Sequence, residues 1–319
     1  MTSLQQLPTG PLATFTRAQA VRAGYNDHEI DAAVRSGRWM RVRRGSYSLA
    51  PTSPVALSVK RLDVLRSHHV GVKLGTGSVL SHQSAVLLHG LPVWGVPLAN
   101  VQVTRVGVSS TRVRAGVKSH RRSLADDEVT TVEALRVTTA ARALVDLACE
   151  AGFESGVCSM DAALRTSVVS IRMLESALER LEGRAGAGQA RRAVAFADAG
   201  AESIGESRMR VAIGALRLPA PVLQHQFRGP SGRVIGRVDF WWPDANVIAE
   251  FDGLVKYRGS LGRPVEVVVE EQLREDDLRS VTGGRFVRVV WSDLQSRDAL
   301  DRKLRRVLEV ASDSSSELA

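Results

Sequence analysis

The hydrophobic pattern at the start of the chain predicts two short helices followed by a β-hairpin. "TFTRAQAVRAG" predicts a helix that ends at Gly24, and "NDHEIDAAVRSGR" predicts a second helix with Asn26 as its N-cap, Glu29 three residues later and a stop at Gly37. "WMRVRRGSYSLA" predicts two β-strands that turn at "RRGS". This order is typical of a winged helix-turn-helix over residues 14–52.

The middle of the chain combines helical and strand patterns. Over residues 57–150, "SHQSAVLLHGLPV" predicts a helix capped by Ser81, "ANVQVTRVGV" and "GVKSHRR" predict strands, and "TTAARALVDLAC" predicts an amphipathic helix. From 151 to 199, apolar residues recur at helical spacing in "GFESGVCSMDAALRT", "SIRMLESALERLEG" and "GAGQARRAVAFAD". We expect an α+β region followed by a helical connector.

Residues 200–311 predict a mixed α/β core. A helix, "IGESRMRVAIGAL", precedes three strands in quick succession, and "EVVVEEQLREDDLRSVTG", "RFVRVVWS" and "LQSRDALDRKLRRVLEVA" then predict a helix, a buried strand and a last helix. We expect residues 312–319 to be a disordered tail. The expected fold class is therefore multidomain α/β.

The bulk composition is that of a globular protein. The chain has 319 residues, of which 44% are hydrophobic and 24% charged, and no apolar run has the length that crosses a bilayer. No signal-peptide pattern is present at the start. Cys149 and Cys158 form neither a disulfide framework nor a metal motif, so a reducing cytoplasm is the expected location and no membrane partner is predicted.

The placement of charge indicates a polyanionic partner. Net charge is +9, and between Asp31 and Asp126 the single acidic residue Asp63 stands against fifteen lysines and arginines. Such a block favours nucleic acid over a basic soluble face that reflects composition alone. Arginines on the predicted second helix and wing are the candidate DNA contacts: Arg35, Arg38, Arg41, Arg43 and Arg44. The alternative for this region is a helical adaptor that contacts only protein.

Three histidines in the middle region raise the question of a metal site. His82, His89 and His120 have no cysteine or carboxylate at ligand spacing. They are predicted to be polar members of the interior or phosphate contacts.

Acidic residues crowd the predicted hairpin "RVDFWWPDANVIAEFDGLVKY" at 237–257. If its turn is centred on Asp244 and Ala245, Asp239 lies directly opposite Glu250, and Asp252 points to the same face. Carboxylates so close repel one another unless a cation or shared protons compensate.

Oxygen ligands of this kind suit Mg²⁺ or Mn²⁺. Asp239 and Glu250 are the predicted metal ligands, with Asp252 or Glu206 assisting, and Lys256 would orient an attacking water. This set predicts metal-dependent hydrolysis of a phosphodiester. The alternative is a surface hairpin of exposed acids in which Lys256 pairs with Asp252.

The same hairpin, followed by "EEQLREDDLRSVTGGRFVRVVWSDL", resembles the very-short-patch-repair-like branch of the PD-(D/E)XK nuclease superfamily. The resemblance covers residues 200–310 and implies a restriction-endonuclease-like fold with Asp239 and Glu250 as metal ligands. It matches Glu206 to the acid of the first helix. The superfamily pattern has a lysine two residues after the second acid, where this chain has Asp252, so Lys256 stands in for it.

The first half of the chain resembles AbiEi-type antitoxins and transcriptional regulators, through "TRAQAVRAG", "WMRVRRGSYSLA", "LSHQSAVLLHGL" and "VTTAARALVDLA". This resemblance implies DNA binding and autoregulation of an operon. A cognate toxin and a second copy of the chain, forming a homodimer, are left open as partners. The leading prediction is therefore a DNA-binding protein whose nuclease-like C-terminal domain hydrolyses phosphodiesters with Mg²⁺, a candidate endodeoxyribonuclease. The alternative is a non-enzymatic antitoxin or transcriptional regulator with a degenerate nuclease fold.

Overall fold

The computed structural model describes residues 7–8, 13–50, 59–74, 77–105, 110–181, 183–229, 232–253, 278–280 and 282–316. By internal contacts the chain divides into a first unit, residues 1–159 and 169–195, and a second unit, residues 160–168 and 196–319. Among the helices of the described ranges, none combines the length and apolarity that a bilayer span requires.

The first unit begins with a small three-stranded sheet and two helices. In chain order the elements are β1 (Phe15–Thr16), α1 (Arg17–Arg22), α2 (Asp27–Arg35), β2 (Trp39–Arg43) and β3 (Ser46–Leu49). The sheet order is β1-β3-β2, and both pairings are antiparallel. Asn26 and Glu29 form the predicted capping box, in which the Asn26 side chain accepts from the Glu29 N–H at 2.9 Å. The predicted helix, helix, hairpin order is confirmed.

A six-stranded mixed sheet forms the centre of the first unit. Its strands are β4 (Ser78–Leu80), β5 (Val101–Arg105), β6 (Arg112–Arg114), β7 (Val117–Arg121), β8 (Val129–Val132) and β9 (Leu135–Thr138). Their order is β6-β7-β5-β4-β9-β8, with β5 parallel to β7 and β4 parallel to β9. Strands β5 and β7 were expected from the pattern; β4, β6, β8 and β9 were not, because three or four residues carry too little alternation to be recognised.

Six helices of the described ranges accompany this sheet in the chain. They are α3 (Val59–Gly71), α4 (His82–Leu88), α5 (Ala140–Ala151), α6 (Phe153–Arg165), α7 (Ile171–Glu179) and α8 (Ala187–Phe196). Of these, α3 and α4 pack directly against its strands. The first residues of α6 belong to the first unit and the last to the second. Ser81 occupies the N-cap position of α4 as predicted, but its side chain makes no capping hydrogen bond. Two or three helices were predicted between 153 and 198, and the structure has three.

The second unit is built on a four-stranded sheet. Its elements are α9 (Ile204–Ala215), β10 (Val222–Arg228), β11 (Val234–Trp242), β12 (Val247–Asp252), β13 (Arg285–Val290) and α10 (Arg297–Ser316). The strands follow one another in the order β10-β11-β12-β13. The first three are antiparallel neighbours, whereas β13 runs parallel to β12. A parallel neighbour requires a crossover connection, and residues 254–277, where a helix was predicted, lie outside the described residues.

Apolar side chains hold this sheet on both faces. Phe240, Ala249 and Val289 pack with Met209 of α9 and Leu304 of α10 in one cluster. A second cluster joins Val238, Ile248 and Leu278. At about 25 cal/mol per Å² of buried apolar surface, these clusters fix the strands against their helices and so fix the position of the acidic hairpin.

One expectation about the end of the chain is wrong. Disorder was predicted from residue 312, but α10 continues to Ser316, and residues 317–319 lie outside the described ranges. No glycine or proline interrupts "ASDSSS", so the backbone hydrogen bonds of the helix can continue through this polar segment.

Candidate nucleic-acid interface and carboxylate site

The basic surface of the winged helix-turn-helix lies at the end of α2 and along the wing. Arg35, Arg38, Arg41 and Arg44 are all exposed. Arg38 donates to the Ser36 hydroxyl at 3.3 Å, and none of the four forms an ion pair with a described residue. Unpaired, exposed guanidinium groups can bind phosphate oxygens in bidentate geometry.

Arg43 differs from the other four predicted DNA contacts. Its guanidinium donates to the backbone carbonyl of Ala115 and is half-buried. Burial, together with the neighbouring charge of Arg66, lowers the pKa of Arg43. The side chain therefore connects the wing to the β6–β7 turn within the first unit.

The start of α2 carries the opposite charge. Asp27, Glu29 and Asp31 lie in its first two turns, where negative charge stabilises a helix N-terminus. Arg17 pairs with Asp27 at 2.9 Å and approaches Asp31 at 3.6 Å. Along α2, the positive charge thus lies at the C-terminal end, next to the wing.

Aromatic packing and α3 fix the wing in place. Trp39 of β2 packs edge-on against Phe15 and Tyr25, with ring centroids 4.8 Å apart in both pairs. On the other side, the His69 imidazole of α3 lies 2.8 Å from the Ser46 hydroxyl of β3. These contacts hold the strand that carries Arg41 in one orientation.

The acidic hairpin has the predicted register. Phe240 pairs with Ala249 and Trp242 with Val247, as they must if the turn is centred on Asp244 and Ala245. Continuing this register by one residue places Asp239 opposite Glu250.

Two carboxylates of the predicted site are joined by an amide. The Gln224 amide nitrogen donates to Glu206 at 2.9 Å and to Asp239 at 3.3 Å. The other Asp239 oxygen accepts from the Phe251 N–H at 2.9 Å, so this side chain bridges β10, β11 and β12. The structure therefore brings Glu206 and Asp239 together.

Glu206 is buried in the first turn of α9. Its carboxylate accepts from the Glu202 N–H at 2.9 Å, and its own N–H is capped by the Ser203 hydroxyl at 3.1 Å. Burial, and secondarily the negative charge of Asp239, raises the pKa of Glu206.

Glu250 and Asp252 occupy the other strand of the hairpin. Both are half-buried on β12. Glu250 lines a cleft of about 230 Å³ together with Phe286 and Arg288 of β13. Among the described residues, these carboxylates do not form a group of three whose ligand oxygens lie within 4.8 Å of one another. Lys256 lies outside the described residues, so its predicted role stays a prediction.

Two contacts were missed by reasoning from the sequence. Gln224 has a positive φ of 51° within β10, and no sequence signal marks a glutamine as the link between two acids. Glu150, at the end of α5, lies beside His82 and His120; these histidines are 68 and 30 residues away in sequence, so spacing could not reveal the group. His82 and His120 are buried, as one of the two predictions for them stated.

The chain is similar to known proteins in its first domain and over most of its length. Residues 13–50 match the family model described as "Transcriptional regulator, AbiEi antitoxin". Two proteins of Mycobacterium tuberculosis, named "Uncharacterized protein MT2308" (strain CDC 1551 / Oshkosh) and "Uncharacterized protein Rv2248" (strain ATCC 25618 / H37Rv), are each 30% identical to the chain over 235 residues. The alignments cover 72% of this chain and 80% of each relative. The chain therefore belongs to one family with these two mycobacterial proteins, and it carries an AbiEi-type antitoxin and transcriptional-regulator domain at residues 13–50.

Proposed function

We propose that the chain is a DNA-binding transcriptional regulator of the AbiEi antitoxin type. The observation that carries this proposal is the group of four exposed arginines, Arg35, Arg38, Arg41 and Arg44, on the end of α2 and the wing of an AbiEi-type domain. The AbiEi family also provides a toxin–antitoxin context, so a cognate toxin is a candidate partner.

The charge distribution supports a docking mode in which the wing contacts the backbone of the duplex. Arginines at 41 and 44 lie on one hairpin, and those at 35 and 38 lie just before it. Phosphate contacts of this kind position a protein on DNA and release counterions. The acidic first turns of α2 would be repelled by phosphate, so α2 would approach the duplex with its C-terminal end.

A binding titration tests the proposal. Fluorescence anisotropy would compare the duplex upstream of the chain's own coding sequence with a random duplex of equal length. The triple substitution Arg38→Ala, Arg41→Ala and Arg44→Ala should weaken binding strongly. It should also reduce the slope of log affinity against log salt by about 3, since each lost phosphate contact contributes about 0.9.

A matched triple variant separates local contacts from net charge. Arg165→Ala, Arg172→Ala and Arg233→Ala remove the same charge from exposed positions elsewhere. If this control weakens binding as much as the wing variant, or if the wing variant binds like the wild type, the assignment of the interface is wrong.

We propose a metal-dependent nuclease as the second candidate function. The observations that favour it are the α9-β10-β11-β12 order with β13 parallel to β12, the hairpin register, and the Gln224 bridge from Glu206 to Asp239. These features agree with the restriction-endonuclease-like fold that the sequence resemblance implies.

The donor set of this site fits a hard divalent cation. Asp239 and Glu250 offer carboxylate oxygens from adjacent strands, and oxygen ligands are those that Mg²⁺ and Mn²⁺ prefer. Asp239 and Glu250 would hold the ion, which supplies Lewis-acid polarisation of a phosphate. Asp252, at the position where the superfamily has lysine, is the departure that makes a non-enzymatic role the leading proposal.

Plasmid cleavage distinguishes the two candidates. With Mg²⁺ or Mn²⁺, a nuclease should convert supercoiled plasmid to nicked or linear forms, and Asp239→Asn and Glu250→Gln should abolish this conversion. Asp244→Asn, in the hairpin turn, is the control that should retain it. A wild-type protein that leaves the plasmid intact, or one whose activity survives both site variants, rules out the nuclease and leaves the regulator.

A further inference from the structure

Three side chains that are distant in sequence meet in the first unit. His82 begins α4, His120 lies on β7, and Glu150 lies in the last turn of α5. Within the described ranges, this is the one place where three ligand atoms from histidine, cysteine or carboxylate side chains lie within 4.8 Å of one another. The two imidazoles stack face to face, with ring centroids 3.8 Å apart and planes 18° apart.

The hydrogen bonds of His120 fix which nitrogen faces Glu150. His120 Nε2 lies 2.7 Å from Gln102 Oε1, and the Gln102 amide nitrogen donates to the Asn100 carbonyl at 3.1 Å. The orientation of the amide is therefore set by Asn100, and His120 must donate from Nε2. In the neutral imidazole the lone pair is then on Nδ1, which lies 3.5 Å from Glu150 Oε2.

His82 approaches the same carboxylate oxygen. Its Nδ1 lies 2.9 Å from the Ser81 hydroxyl, which also accepts from the Thr104 hydroxyl at 2.9 Å. His82 Nε2 lies 3.7 Å from Glu150 Oε2. The backbone of His82 has a φ of 50°, a conformation that is uncommon for residues other than glycine.

The distances to Glu150 match shared coordination better than hydrogen bonding. A nitrogen-to-oxygen hydrogen bond spans about 2.7 to 3.2 Å, and both separations here are longer. In a tetrahedral site with bonds of about 2.0 to 2.1 Å, ligand atoms lie about 3.3 Å apart. The observed distances from the two imidazole nitrogens to Glu150 Oε2, 3.5 and 3.7 Å, are close to this separation between ligand atoms.

We propose that His82 Nε2, His120 Nδ1 and Glu150 Oε2 form a binding site for Zn²⁺, with a water molecule as the fourth ligand. The proposal concerns the interior of the first unit and is independent of whether the wing binds DNA. Two imidazoles and one carboxylate are a ligand set that Zn²⁺ uses when a fourth position stays open. Mg²⁺ prefers oxygen ligands only.

The hydrogen bonds of the group support a metal site. Because His120 donates from Nε2 to Gln102, its Nδ1 carries the lone pair that would bind an ion. Gln102 and Ser81 hydrogen-bond the outer ring nitrogens, as partners of metal-binding histidines do. Because the two rings are stacked with planes 18° apart, they must rotate apart for their lone pairs to converge on one ion. Lys118 pairs with the other Glu150 oxygen, Oε1, which leaves Oε2 for the ion.

The site is open to solvent on the side of Glu150. Its side chain is 32% exposed, whereas those of His82 and His120 are 5% and 4% exposed. An ion and its water would therefore enter along the carboxylate side.

Metal titration of the full-length chain tests the site. The protein would be purified without a polyhistidine tag, freed of metal with a chelator, and titrated with Zn²⁺ by calorimetry and with Co²⁺ by visible absorption. We expect one ion per chain, with the intense visible bands of tetrahedral Co²⁺. His120→Ala and Glu150→Gln should each weaken Zn²⁺ binding by about 100-fold or more, since loss of an outer partner alone costs about 10- to 100-fold.

Matched variants keep the test decisive. His28→Ala on α2 and Glu175→Gln on α7 remove exposed groups of the same two types and should bind Zn²⁺ like the wild type. Glu150→Gln keeps the size of a half-exposed side chain, so it decides the question even if His120→Ala does not fold. Wild-type protein that binds less than one equivalent, or Glu150→Gln with unchanged affinity, overturns the proposal.

Discussion

The two units bury polar side chains in different ways. Around α4, β5, β7 and α5 the first unit encloses a set of polar and charged residues: Ser81, His82, Gln83, Ser84, Gln102, Thr104, Ser119, His120, Glu128, Arg142 and Asp146. The clusters on the sheet of the second unit are apolar, and the buried polar residues described there are Asp161, Glu206 and Ser207. Both units bury apolar side chains, but the first also encloses many more polar groups that need partners.

This difference determines where function can be recognised. A buried polar group costs free energy unless it has a partner. Removing a positive charge from the polar network of the first unit should therefore destabilise that unit. In the second unit, Asp239 and Glu250 lie on the two central strands of the sheet, β11 and β12, and the hairpin register places them opposite each other.

The largest loss of stability is expected from replacing Arg142, and it tests whether the first unit depends on its buried polar pairs. This fully buried side chain donates to Glu128 at 2.6 Å and to Asp146 at 2.8 Å. Arg142→Met should lower the free energy of unfolding of the first unit by about 3 to 5 kcal/mol, because two buried carboxylates lose their cation. Urea unfolding followed by hydrogen exchange of peptides from each unit measures this loss.

The control for Arg142 is an exposed ion pair in the same unit. Arg180 pairs with Asp127 through two hydrogen bonds on the surface, and Arg180→Met should leave the urea midpoint almost unchanged. Equal losses for the two variants would show that burial of the pair is not what matters.

A smaller effect is expected from pH through Asp63 on α3. Burial raises the pKa of Asp63 to about 7, and neither carboxyl oxygen has a hydrogen-bond partner among the described residues. The folded state thus holds a proton that the unfolded state releases near pH 4. Stability falls as the pH rises from about 4 to 7, and between pH 5.5 and 8 the loss should be about 2 kcal/mol.

Asp63→Asn removes the titrating group and should flatten this profile. Chemical denaturation at several pH values, with the first unit followed by hydrogen exchange, would show it. A variant profile as steep as that of the wild type would assign the pH dependence to other groups.

Glu206 should produce a weaker pH dependence in the second unit. Its pKa is also raised by burial, but the Glu202 N–H and the Ser203 hydroxyl act in the opposite direction. Stability of the second unit should therefore fall as the pH rises through the folded pKa, by less than for Asp63, and Glu206→Gln should remove the fall. The control is Glu202→Gln, since Glu202 is an exposed acid that pairs with Arg237. A loss of stability with pH at Glu206 as large as that at Asp63 would contradict the expectation.

The smallest predicted loss of stability comes from removing a helix cap, and it should be the same in both units. Ser170 caps α7 and Ser203 caps α9 through hydroxyl acceptors at 3.3 and 3.1 Å. Ser170→Ala and Ser203→Ala should each cost about 1 kcal/mol, because a cap depends on its own helix end and not on the interior. Thermal unfolding would measure the loss of stability in each variant. A clear difference between the two losses would mean that packing in the interior also affects the helix ends.

Much of the fold could be predicted because its determinants are local. The capping box at Asn26 and the hairpin after it are carried by residues close in sequence. The turn between β11 and β12 fixed which residues face one another, and the observed pairing of Phe240 with Ala249 agrees. The candidate carboxylate site was accessible for the same reason: Asp239 and Glu250 are eleven residues apart in sequence on one hairpin.

Other contacts could not be predicted because no local rule specifies them. Arg43 belongs to the same basic wing as Arg41, yet it donates to Ala115, 72 residues later. Gln224, which has a positive φ within β10, joins Glu206 to Asp239. Ser81 carries the signature of a helix cap but uses its hydroxyl on His82 and Thr104.

By itself, the sequence determined the order of helices and strands, the basic wing and the acidic hairpin, since periodicity, capping and turns act over a few residues. Only the tertiary structure decided which polar groups meet. Strand β7 lies parallel to β5 and α5 packs beside α4, so His82, His120 and Glu150 converge from three separate segments. Such a convergence is set by the packing of the whole unit, which the spacing of residues along the chain does not encode.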